Sequence, residues 1–150
     1  MTVSEAIALL RVDLGDPNAE LLAANDLLRA LSRAVAAVNR DLGRRYAIDG
    51  DQIVPDPDSD DETDLILLRA HAFCCSMLRS AASANFSFSS ADKRVDKSMQ
   101  AKAWGDLEKD LLARYREAIF RINPEMNDGL LPVENMRPQI FEVGSDVLDD

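Results

Sequence analysis

The sequence has few of the side chains from which enzyme and metal sites are built. It contains one histidine, His71, and two cysteines, Cys74 and Cys75, which are adjacent in an apolar stretch. Neighbouring side chains on a helix point about 100° apart, so these cysteines do not form an ordinary disulfide. A zinc site would also lack ligands at usable spacing. We therefore expect two buried, inert thiols, no metal and no cofactor.

Catalytic motifs are absent as well. The chain has no Gly-rich phosphate loop, no Gly-x-Ser-x-Gly and no His-Glu-x-x-His. Acids alternate from Asp56 to Glu62, but the glycine and the final glutamate that a calcium loop needs are missing. His71 is interpreted as a structural histidine with satisfied hydrogen bonds. The sequence thus predicts a protein that is not an enzyme. The alternative, a small helical enzyme, would need a pocket of polar groups around His71.

Positive charge is scarce and unevenly placed. The chain has 17 basic and 27 acidic residues, a net charge of −10. Residues 51–68 hold seven acids and no base, and residues 123–150 hold seven acids and one base. Proteins that bind nucleic acid need positive charge to neutralise phosphates. The composition therefore predicts a protein that does not hold DNA tightly.

Long uncharged apolar runs are also missing. The most apolar stretch, Leu65 to Leu78, is interrupted by Arg69 and His71, and it is shorter than the roughly 20 residues that cross a bilayer. The first residues do not have the pattern of a secretory signal. We expect no membrane contact and synthesis in the cytoplasm.

Helical periodicity dominates what is present. Apolar residues recur at spacings of three and four residues in four segments, which lie near residues 3–14, 26–42, 63–84 and 98–122. The first segment has a predicted capping box of Thr2 and Glu5, and the second a predicted cap at Asn25 or Asp26. The third would begin at the last acids of residues 55–62, which we call the acidic loop, and the fourth at Ser98. The third segment is apolar over most of its circumference, which predicts a central helix. The predicted fold is an all-α antiparallel bundle of about four helices.

Two further segments complete the predicted organisation. Residues 46–54 surround Asp49-Gly50, a pair that favours a tight turn, and predict a short extended arm or hairpin. Residues 1–122 would form the helical domain. Residues 123–150 contain three prolines and no period, and they predict an extended C-terminal tail that docks on a partner.

Two sets of residues are candidate contacts. The loop after the third helix exposes aromatic side chains beside a basic cluster: Phe86, Phe88, Lys93 and Arg94. The tail contains apolar side chains among acids that would anchor it on a partner: Leu130, Leu131, Ile140 and Phe141.

The order of these blocks resembles the head-to-tail connectors, also called head-completion adaptors, of long-tailed double-stranded DNA phages. The blocks that carry it are Leu14-Gly15-Asp16-Pro17, residues 31–42, Leu67-Leu68-Arg69-Ala70-His71-Ala72, the loop from Phe86 to Ser98, and residues 107–116. The resemblance spans about residues 3–122 and depends on order rather than on one diagnostic motif.

The resemblance implies a structural protein of the virion, located at the neck where head meets tail and in the host cytoplasm during assembly. Copies of the chain, usually twelve, would form a ring below the portal protein and offer a surface to the neck or tail-completion protein. Genomic DNA would pass through without specific binding, because an acidic channel wall repels phosphates. The alternative is a generic helical interaction or regulatory module that forms no ring.

Overall fold

The computed structural model describes residues 1–57, 59–84 and 94–124, the last range without the side chains of residues 94–98. Its described part is an all-α antiparallel bundle with one small hairpin, so the predicted fold class is confirmed. The elements in chain order are α1 (Val3–Asp13), α2 (Ala24–Leu42), β1 (Ala47–Asp49), β2 (Gln52–Val54), α3 (Asp60–Ala84) and α4 (Arg94–Ile122).

The first helix begins and ends as its sequence predicts. The backbone N–H of Glu5 donates to the Thr2 hydroxyl, and the Glu5 carboxylate accepts from the backbone N–H of Thr2, which completes the capping box. Gly15 follows the helix with φ +66°, a conformation that suits glycine best. The buried Asp16 then accepts hydrogen bonds from the N–H groups of residues 20–22 and organises the turn into α2.

The predicted hairpin forms and holds the start of α1. Strands β1 and β2 pair antiparallel, with Ile48 opposite Ile53, and Gly50 takes φ +58° in the turn. The Asp51 carboxylate accepts from the backbone N–H and the hydroxyl of Ser4, at 2.9 and 2.7 Å. Asp51 therefore acts as a second acceptor for the free N–H groups at the start of α1.

Three predicted helix starts are wrong by two to four residues. Helix α2 begins after Ala23, which supplies no side-chain cap, rather than at Asn25 or Asp26. Helix α3 begins at Asp60, because Ser59 accepts from the N–H of Glu62 and draws the last acids of the loop into the helix. Helix α4 begins at Arg94 rather than near Ser98.

Helix α3 is the central helix, since it packs against α1, α2 and α4. The largest fully buried side chains line its inner faces and those of α1, α2 and β2: Leu10, Leu27, Leu31, Val38, Ile53, Leu65, Ile66, Cys74 and Cys75. Helix α4 adds Leu111 and Tyr115. Burial of α3 is nevertheless incomplete, and Phe73 is only half-buried.

Because Phe73 is half-buried, Phe73→Ala should lower the free energy of unfolding by about 2 kcal/mol, less than the 3–5 kcal/mol typical of a fully buried phenylalanine. Urea denaturation measures the change. Phe120→Ala is the control, because Phe120 on α4 is 51% exposed and its loss should have little effect. Equal effects of the two substitutions would contradict the packing of Phe73 described above.

Helix α3 is longer than its apolar stretch, Leu65 to Leu78, which the sequence predicts to be too short to cross a bilayer. The helix has 25 residues with a mean hydropathy of 1.3 over its most apolar window, so length and composition alone would allow it to cross a membrane. Central helices of bundles have the same property. Its packing against three other helices accounts for its apolarity.

The prediction of two buried thiols is confirmed. Cys74 and Cys75 have no exposed surface and are not bonded to each other. Burial raises the pKa of the Cys74 thiol to about 12 and that of the Cys75 thiol to about 11. Since the thiolate is the reactive form, the folded chain should not react with a disulfide reagent at about pH 8, whereas the denatured chain should release two equivalents. Rapid labelling of the folded chain would contradict this.

Candidate interaction surfaces

Two arginines and two aromatic rings meet where α2, α3 and α4 come together. The guanidinium carbon of Arg69 lies 4.7 Å from the ring centre of Phe73 and 5.2 Å from that of Tyr115. Arg33 of α2 lies 5.6 Å from the same Phe73 ring. These distances are those of cation–π contacts. We call these four residues the arginine cluster.

Local sequence positions each member of the arginine cluster. Arg69 and Phe73 are one turn apart and share a face of α3. The Tyr115 hydroxyl donates to the Asp41 carboxylate at 2.8 Å, which holds α4 against α2. Burial and the nearby Asp41 charge raise the pKa of Tyr115, so the phenol stays protonated and keeps donating.

The positive charge of the arginine cluster is not neutralised among the described residues. Asp41 accepts from Tyr115 and also pairs with Arg40 at 3.1 Å. Neither Arg33 nor Arg69 has an ion pair there, and the Nε of Arg69 is buried without a hydrogen-bond partner. Arg33 is exposed and Arg69 is partly exposed, so N–H groups of the cluster other than this Nε can donate to an acceptor from outside.

The opposite charge is concentrated around the hairpin and the start of α3. Four exposed carboxylates there have no ion pair within the described part of the chain: Asp49, Asp60, Asp61 and Asp64. We call these four residues the acidic edge. Acids in the first turn of α3 also stabilise that helix through its dipole.

One acid of this segment points inward instead. Glu62 is 3% exposed, and it accepts hydrogen bonds from the Tyr46 hydroxyl and from Arg44, whose Nε lies 3.1 Å away. The Asn39 side chain in turn bonds both the N–H and the C=O of Tyr46 at 2.7 Å. This network joins the end of α2, the hairpin and the start of α3. It therefore fixes the positions of the elements that bear the acidic edge.

Two open grooves lie beside these features. A groove of about 460 Å³ runs between the start of α3 and the end of α4, lined by Ser59, Asp61, Asp64, Leu65, Ala118, Arg121 and Ile122. A second, of about 310 Å³, separates α2 from β1. Neither groove is lined by His71 or by a cysteine.

His71 lies on α3 and is partly buried. Burial lowers its pKa, and the charge of Asp13 opposes that shift only in part, so the ring is neutral at pH 7. Its Nε2 is buried without a hydrogen-bond partner, so the expectation of a fully satisfied histidine is wrong for that atom. Among the described residues, no group of three or more histidine, cysteine or acidic side chains could hold a metal ion.

The predicted contact residues fall almost entirely outside the described residues. This holds for Phe86, Phe88 and Lys93 of the loop and for Leu130, Leu131, Ile140 and Phe141 of the tail. Arg94 is the first residue of α4. The arginine cluster was not predicted, although an arginine inside a strongly apolar helix with an aromatic residue one turn later was a usable signal.

Comparisons of the chain with protein-family models, with curated proteins and with solved structures gave no match.

Proposed function

We propose that this chain is a structural subunit of a phage head-to-tail connector. Copies of it would form a ring, of twelve subunits, below the portal protein and would join the DNA-filled head to the neck or tail. The subunit acts by shape and surface charge, and it catalyses no reaction.

The observation that carries the proposal is the order of the elements. Of the five blocks that resemble connectors, residues 14–17 follow α1, residues 31–42 form the second half of α2, residues 67–72 lie in the middle of α3 and residues 107–116 lie within α4. The remaining block, the loop from Phe86 to Ser98, falls mostly outside the described residues. The block Leu14-Gly15-Asp16-Pro17 has a structural role, because the buried Asp16 carboxylate organises the turn after α1. The order is thus a property of the folded chain as well as of its sequence.

The charge distribution also supports a passive role beside DNA. The chain as a whole has a net charge of −10. A channel wall of this sign repels phosphates, so DNA slides past without adhering.

Electron microscopy of the full chain mixed with the portal protein of the same phage tests the proposal. We expect an additional ring on one end of the portal. Absence of any association, together with a monomeric or dimeric mass, would contradict the proposal and favour a regulatory interaction module.

Binding to DNA gives a second prediction. We expect no measurable affinity for duplex DNA at an ionic strength of about 0.15 M, because too few phosphates can be neutralised. Fluorescence anisotropy with a labelled duplex measures this. Submicromolar binding that weakens steeply as salt rises would contradict the passive-channel role.

A further inference from the structure

Three unpaired arginines lie together at the arginine cluster. Within the described residues, Arg11, Arg40, Arg44, Arg79, Arg114 and Arg121 each have a carboxylate within ion-pair distance. Five further arginines whose side chains are described have none: Arg29, Arg33, Arg45, Arg69 and Arg116. Three of these five are members of the arginine cluster or lie one turn from it, since Arg29 precedes Arg33 by one turn on the exposed face of α2. At this place the described part of the chain supplies no ion pair for Arg29, Arg33 or Arg69.

The geometry of Arg69 favours a carboxylate as the missing ligand. Two aromatic rings contact its guanidinium, with their centres 4.7 and 5.2 Å from the guanidinium carbon. A guanidinium held in this way presents paired donors that match the two oxygens of a carboxylate. The Nε of Arg69 is buried, so the donors open to a neighbour are the terminal N–H groups of Arg69, which is partly exposed, and the guanidinium of the exposed Arg33.

The α3 acids of the acidic edge do not reach Arg69 in the same copy. Asp60 and Asp61 lie about 12 Å or more from it along the helix axis, and Asp64 lies about 7.5 Å away and is turned about 140° to another face. The acidic edge and the arginine cluster are therefore two distinct surfaces of opposite charge on one rigid bundle. Two different surfaces of this kind contact each other when copies associate head to tail. Such an association gives a ring when the rotation between neighbouring copies closes.

We propose that the arginine cluster, together with Arg29, binds the acidic edge of a neighbouring copy of this chain. This inference rests on the proposed ring, and it identifies the surfaces that form the ring contact. Electrostatic complementarity of this kind sets the register of the contact and its sensitivity to salt.

Two charge-reversed forms of the full chain test the contact. One carries Arg29→Glu with Arg33→Glu, and the other carries Asp60→Lys with Asp61→Lys. Each form alone brings like charges together, so we expect self-association by sedimentation velocity at low ionic strength to weaken about tenfold or more. An equimolar mixture should associate again, because each surface then meets one of opposite charge.

Matched variants separate the contact from general effects of charge. Lys102→Glu with Lys109→Glu reverses two exposed charges on α4, six or more residues before Tyr115, and it should associate like the original chain. Arg69→Met keeps an apolar stem between the rings but removes the donors, and it should weaken association. Thermal unfolding of every variant shows whether it folds.

Several results would overturn the inference. These are an original chain that stays monomeric at low salt, reversed forms that associate unchanged, and a mixture that does not recover. Duplex DNA binding that Arg29→Glu with Arg33→Glu abolishes would assign the cluster to nucleic acid instead. If every variant still forms a portal complex with unaltered rings, this contact is contradicted but the proposed function is not. If the original chain forms no complex with the portal protein, the proposed function itself is contradicted.

Discussion

Glu62→Ala is expected to lower the free energy of unfolding by about 3 kcal/mol, a large share of the 5–15 kcal/mol that holds a domain of this size together. The substitution removes a carboxylate that is 3% exposed and accepts from both Tyr46 and Arg44. The Tyr46 hydroxyl would then be buried without a partner, and this desolvation supplies most of the loss. Arg44 contributes less, because its side chain is 44% exposed and water can replace its partner.

Urea denaturation with matched variants separates these contributions. Glu62→Gln keeps an acceptor for Tyr46 and should cost about 1 kcal/mol, as should Tyr46→Phe. Asp61→Ala alters the neighbouring exposed acid and should cost less than about 1 kcal/mol through the helix dipole. If Glu62→Ala were no more destabilising than Asp61→Ala, the network around Glu62 would not stabilise the fold.

Local signals were sufficient to predict the type and order of the elements. The capping box of Thr2 and Glu5, Gly15 after α1 and the Asp49-Gly50 turn each act within a few residues, and the structure has all three features. The start of α2 was mispredicted because Ala23 offers no cap and the packing of the helix, rather than a side chain, sets where it begins.

The tertiary environment of charged residues could not be predicted in the same way. Glu62 was predicted only as one of the last acids of the acidic loop, at the start of the third helix, yet it faces Tyr46 and is buried. The contact of Tyr115 with Asp41 joins residues 74 positions apart, and the arginine cluster depends on it. Sequence spacing reports which residues share a helix face, but not which helix that face meets.

Deleting residues 124–150 is expected to leave the bundle folded. The buried members of both hydrophobic clusters in the described chain lie between Val3 and Tyr115, so the deletion removes none of them. Circular dichroism and urea denaturation of the shortened chain should match those of the full chain within about 1 kcal/mol. A shortened chain that fails to fold would show that the tail belongs to the core.

If the chain is the connector subunit that we propose, the same deletion should abolish its incorporation into phage heads, the largest effect predicted for this chain. The deleted segment contains Leu130, Leu131, Ile140 and Phe141, which we propose as anchors on the portal or on a neighbouring copy. Ordering a segment costs on the order of 1 kcal/mol per residue, so several anchors repeated around a ring are needed to make docking favourable. Leu130→Asp with Phe141→Asp in the full chain should reproduce the defect, whereas Glu134→Gln, which removes a charge but no anchor, should not. Heads that retain DNA with the shortened chain in place would show that docking does not depend on the tail, and the ring would then have to be held by contacts of the bundle alone.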